Sequence, residues 1–156
     1  MRFVSTQDLS AFEGFFNEVK VLEKKKVSYG YFDEQHYSGL NMATLAAIHE
    51  QGWNDLPERN FIYSTQIQYR NELNNLTLKL MHDIINKKGH MTGLKRIGLR
   101  GVKEMKDVID TGKFSNNKVS KNWAAAKGFS EALVHYGDLR AATTYKVTAH
   151  KKGSTE

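Results

Sequence analysis

The pair His49-Glu50 closes an apolar helical run, "NMATLAAIHEQG", and a His-Glu pair on a helix is half of a zinc-peptidase signature. That chemistry needs a second histidine one helical turn later, so that both rings reach the same ion. Here the next residues are Gln51, Gly52 and Trp53, and the signature stops. His82-Asp83 and His135 with Asp138 are isolated pairs without a recognisable third ligand. The glycines of "GLRGVKEMKDVIDTGK" lack the phosphate-loop spacing and have no Lys-Ser/Thr after the last one. No nucleophile elbow or dinucleotide fingerprint occurs. Cysteine is absent, which excludes disulfides and thiolate metal sites. The histidines are therefore read as hydrogen-bonded structural residues, and no catalytic group, metal or cofactor is expected. A small hydrolase is the enzyme alternative, and it has no motif under it.

A chain of 156 residues with 40% apolar and 26% charged residues is expected to form one globular domain, placed at residues 1–150. Residues 151–156, "KKGSTE", are expected to be a flexible C-terminal tail. No stretch approaches the ~18 consecutive apolar residues that span a bilayer, and the N-terminus lacks the apolar run of a signal peptide. Cytosol-like conditions and no membrane partner are the expectation. The net charge of +6 suggests an acidic partner. The lysines are dispersed, however, and acidic residues interleave with them, whereas dedicated nucleic-acid binders concentrate charge on one face. A basic nucleic-acid-binding module is the rival of a different class. Tyr29 and Tyr31 could stack bases in such a module, but core or interface packing is the favoured reading.

The elements follow from periodicity. Ser5 and Asp8 resemble a helix cap, and Leu9, Phe12, Phe16 and Val19 then mark one apolar helix face. Lys24 to Lys26 read as a surface turn. Val27, Tyr29 and Tyr31 alternate with Ser28, Gly30 and Phe32 as in a strand, with Gly30 at a bulge or close approach. A short helix runs to Gly52. After Pro57 comes the longest periodic segment, with Tyr69, Leu73, Leu76, Leu80 and Ile84 as its stripe and Met81 and Ile85 widening it. Gly89 ends it. A second helix follows, with Leu94, Ile97, Met105 and Val108 on one face and Gly98 and Gly101 beside it for close approach of another helix. Such a pair predicts an antiparallel hairpin. Residues 113–122 form a polar loop, Ser120 to Gly128 give one or two helical turns, and a strand is expected over Thr143–Ala149. The predicted class is α+β: a small antiparallel sheet packed on a long helix hairpin, with an N-terminal helix and extended loops.

From "HYSGLNMATLAAIHEQGWNDLPERNFI" onward the chain resembles the tail-completion, or head–tail joining, proteins of tailed bacteriophages, the minor tail component or virion morphogenesis type. The family's aromatic strand is matched by Tyr29-Gly30-Tyr31-Phe32, and its small-residue helix by Ala43 to Ile48. Glu50 and Gly52 fit its corner; Pro57, Arg59 and Phe61 fit its loop motif. Gly89 and Leu94 to Gly98 fit its helix break and the start of its second helix. "SKNWAAAKG" stands where a Thr-x-x-x-Lys-Gly element is usual, and Leu133, Gly137, Leu139, Tyr145 and Val147 match its final turn and strand. Asn60 and Ala132 stand where the pattern has proline, and Tyr136 where threonine is common. The likeness covers roughly residues 27 to 148.

The resemblance implies a virion protein of the neck, assembled in the host cytoplasm. It would form a ring with copies of itself, most often six-fold. Its neighbours would be the portal, connector or head-closure proteins on one side and the tail tube or tail terminator on the other, with genome DNA passing through the ring. A tail-terminator or head-closure ring is the nearer alternative. Glu50, Gly52, Pro57, Arg59 and Phe61 are then a structural corner, in which Glu50 and Arg59 are expected to pair or to bind loop backbone. Lys113, Asn116, Asn117, Lys118 and Lys121 are the candidate partner-contact loop.

Overall fold

A computed structural model of the chain describes residues 6–133 and 137–149, without the side chains of residues 6–11 and 127. The helix cap at Ser5, Leu9 as a packing residue, His135, Tyr136 and the tail 151–156 lie outside what is described.

The fold is α+β. Helix α1 spans Thr6–Glu23, strand β1 Lys25–Gly30, α2 Met42–Gln51, α3 Phe61–Ile85, α4 Met91–Thr111, α5 Lys121–Lys127, α6 Asp138–Ala142 and β2 Thr144–Ala149. The two long helices form the expected hairpin. Their ladder of contacts runs antiparallel, from Tyr69 with Asp107, through Glu72 with Arg100, to Asp83 with Arg96. Helix α4 is the strongly amphipathic one, and Leu94, Met105, Val108 and Ile109 are buried on its inner face.

Strands β1 and β2 pair antiparallel, with Val27 opposite Val147 and Tyr29 opposite Tyr145. These four side chains alternate with polar residues, and the tyrosines lie on α4 where it has no side chains. A Cβ on Gly98 would stand 2.2 Å from the Tyr145 ring, and one on Gly101 would stand 2.5 Å from the Tyr29 ring. The two glycines were read as a seat for another helix; they seat the sheet instead. Gly93 is the one that faces a helix, since its Cβ position meets Leu80 of α3 at 2.5 Å.

Several expectations are corrected. Lys25 and Lys26 are in β1, so Lys24 alone keeps the turn, and Gly30 ends the strand at φ 134°. Phe12 and Phe16 are exposed, and among the described α1 side chains Phe15 and Leu22 pack on the core. A carboxylate tie fixes that helix: Glu18 Oε2 meets His90 Nδ1 at 2.6 Å at the hairpin turn. Ile85 does not widen the α3 stripe, because it faces solvent, and α3 ends there, well ahead of Gly89. Helix α6 was not foreseen. The short helix expected between Ser120 and Gly128 is α5, with Ser120 as its cap and Gly128 ending it, so the polar loop stops at Ser120.

Candidate functional site

The corner between α2 and α3 brings two helix ends face to face. The last carbonyls of a helix and the first amides of the next both lack intrahelical partners. Here they satisfy each other and their neighbours. His49 and Glu50 carbonyls accept from the Arg59 and Asn60 amides, each at 3.1 Å. Asn60 holds the cap position of α3 in a left-handed conformation and makes no side-chain cap bond. Glu50 does that work from the other helix. Its two carboxylate oxygens accept from the Ile62 amide at 2.8 Å and the Tyr63 amide at 2.9 Å. A negative charge at this end of α3 also suits the helix dipole.

Glu50 and Arg59 are expected to pair with each other or to bind loop backbone, and the structure shows the first turn of a helix as the Glu50 partner instead. Arg59 turns to the imidazole, with Nη1 at 2.9 Å from His49 Nδ1. Arg59 is 4% exposed. Its Nε is buried with no hydrogen-bond partner. Gly52 permits the reversal: at φ 78°, a Cβ would lie 2.8 Å from both the Glu58 nitrogen and the Leu56 oxygen. Trp53 and Leu56 close the turn through reciprocal backbone bonds of 3.1 and 2.9 Å, which leaves Pro57 exposed at its end. Phe61 is fully buried, edge-on to Tyr31 and Phe114.

The candidate contact loop is tied to this corner. Ser115 Oγ donates to Asn60 Oδ1 and to the Glu58 carbonyl, and Asn116 Nδ2 donates to that same carbonyl at 2.6 Å. Asn117 Nδ2 donates to the Gly112 carbonyl, Lys118 pairs with Glu131 at 2.7 Å, and the Lys113 carbonyl accepts from Gln68. Lys121 is exposed on α5. The candidate partner-contact residues thus mostly have partners within the chain as well. Tyr31 is packed as well, its hydroxyl bonded to Thr143 and pushed up to about 12 by burial, which does not suit a base-stacking surface. The other histidines are dispersed. His82 contacts Asn86, while Asp83 goes to Lys88 and Arg96.

Above the corner lies an open cleft of about 750 Å³. Arg59 and His49 are at its base, and Leu45, Leu56, Val119 and Leu139 give it an apolar lining. Also lining it, His36 Nε2 stands 3.4 Å from Asp138 Oδ2. No single local motif marks this cleft, because its walls come from two segments, residues 36–59 and 118–139.

His49 makes the corner sensitive to acid. Burial and then the Arg59 charge lower its pKa from 6.5 to about 4, so the ring is neutral and Nδ1 accepts from Arg59. The unfolded chain takes up the proton first, and stability is therefore whole above pH 6.5 and falls as pH drops towards 4. A shift of this size corresponds to roughly 3 kcal/mol, reduced to about 1–2 kcal/mol by solvent screening at a half-buried ring. Urea unfolding at pH 7 and pH 4.5 should show that loss. His49→Gln, which can still accept from Arg59, should flatten it; an unchanged slope in that variant assigns the acid sensitivity elsewhere.

No family model, curated protein or solved structure matches this chain.

Proposed function

We propose that this chain is a structural subunit of the phage neck, forming a ring that links the portal or connector side to the tail. The ordered set of residues from Tyr29 to Val147 supports that reading, and one observation carries it: α3 is apolar on two sides. Its buried side holds Phe61, Leu80 and Ile84. Tyr63, Ile67, Leu78 and Ile85 are exposed, with Leu78 68% accessible. At about 100° per residue these four fall within roughly 60° of one another, on the side away from the core. Asn71 and Asn74 stand between them on that side. A helix needs only one apolar stripe to join its own core, and a second one suits a subunit contact. Phe12 and Phe16, exposed on α1 with ring centroids 6.3 Å apart, add a further apolar surface. A closed ring uses complementary flanks of this kind, related by rotation.

Sedimentation velocity tests the assembly. The chain is expected to sediment as a closed oligomer, and Ile67→Glu with Leu78→Glu as a monomer of unchanged helical circular dichroism. A monomeric parent, or a variant that still assembles, removes the α3 contact. The neck assignment has its own test: particles made without the subunit should separate into heads and tails, and complete infectious particles lacking it would end the reading.

A further inference from the structure

We propose that the cleft over the α2–α3 corner binds a carboxylate on an extended peptide segment of a partner protein, with apolar side chains flanking that carboxylate. Arg59 is more than nine-tenths buried, yet none of the ion pairs among the described residues includes it. Its hydrogen-bond partner is a neutral imidazole acting as acceptor, and its Nε has none. A buried cation without a counter-charge is costly, and a ligand carboxylate meets that deficit. The guanidinium is also the side chain best shaped for one.

Among the described residues lining the cleft, the other charged ones are Asp55, Lys118 and Asp138. Lys118 is paired with Glu131, Asp138 with His36, and Asp55 stands exposed. Two carboxylates, Asp55 and Asp138, lining the same cleft as one buried cation disfavour a polyanion such as nucleic acid. They leave room for a single carboxylate delivered between apolar groups. Leu45, Leu56, Val119 and Leu139 offer surface to the residues on either side of it. The form of the cleft selects a segment over a small molecule. Small-ligand sites enclose most of their ligand, whereas this cleft stands open to solvent. Binding here does not depend on copies of the chain assembling, so failure of the ring leaves this inference standing.

The test uses the full chain, immobilised, and two pools of blocked pentapeptides. One has Glu fixed at the centre and apolar residues on both sides; the other differs only by Gln at the centre. Retention of the Glu pool is expected to exceed that of the Gln pool by about ten-fold, the worth of a hydrogen bond to a charged group. Equal retention, or none for either pool at millimolar concentration, overturns the proposal. Arg59→Lys should abolish the preference. Because that change can weaken the fold, Leu56→Ala on the exposed wall provides a second reading: it should lower retention of the Glu pool with the thermal midpoint unchanged. Hexanoate at equal carboxylate concentration is expected to displace little of the bound pool. Full displacement by hexanoate would make this a small-molecule site and overturn the peptide assignment.

Discussion

Replacing Gly98 and Gly101 together by alanine is expected to cost more stability than any other change of two methyl groups in this protein. Alanine is the better helix former by about 1 kcal/mol per site, so propensity alone predicts a gain. The clash runs the other way and is larger. The added carbons would lie 2.2 Å from the Tyr145 ring and 2.5 Å from the Tyr29 ring. Ordinary carbon contacts are ~3.5–4 Å, so the sheet must lift by on the order of 1 Å or more. The rings are rigid, and both strands carry one, so neither can yield alone. Overpacking of this kind costs about 1–3 kcal/mol per site, and more where nothing can move. A net loss of about 3 kcal/mol or more is expected for the pair, out of a total of ~5–15 kcal/mol for a domain of this kind. Gly14→Ala on α1 is the control, since nothing lies within 4 Å of its Cβ position and a small gain is expected. Urea midpoints followed by circular dichroism decide the matter. A double variant as stable as the parent would mean that the sheet does not sit on α4 as described.

Phe61→Ala should be the most damaging single truncation at the corner, at about 3–5 kcal/mol. Phe61 is the first residue of α3 and is wholly buried. Its ring meets Tyr31 at 6.0 Å and Phe114 at 6.4 Å, both edge-on, so it joins the residues after β1, the long helix and the loop after α4. Removing it leaves a void bordered by two aromatic rings that cannot collapse into it. Hydrogen exchange at the Ile62 and Tyr63 amides gives a local reading. Both are held by Glu50, and their protection should fall further than the global loss accounts for. A loss under about 1 kcal/mol, with protection retained, would show that Phe61 is not the pin of this junction.

What could be read beforehand was set by how local the signal was. Helix α4 announced itself because its apolar residues recur on one face and Gly112 caps it in a left-handed conformation. Both strands were legible from alternation, and their pairing follows from there being two. On α1 the same rule misled, since Phe12 and Phe16 keep helical spacing but face solvent. Apolar periodicity reports a sticky side of a helix without saying whether this chain or another covers it. Five-residue α6 was hidden by the β-branched run that begins at Thr143. The Arg59–His49 contact and the Glu50 cap were beyond reach for a different reason. Each joins residues ten to thirteen positions apart across a reversal, and only the folded corner decides which polar atom faces which. One clue was present, in that Asn60 stands before a long helix with no acidic residue in its first turn.

The ladder joining Lys25 to Ala149 clasps nearly the whole described chain into one loop. Closing so large a loop is entropically unfavourable, and it gains nothing until a surface exists for the strands to rest on. The helix hairpin, whose contacts are local, supplies that surface. The strands are thus the latch and the hairpin the door, and a nascent chain holds its latch open until β2 emerges.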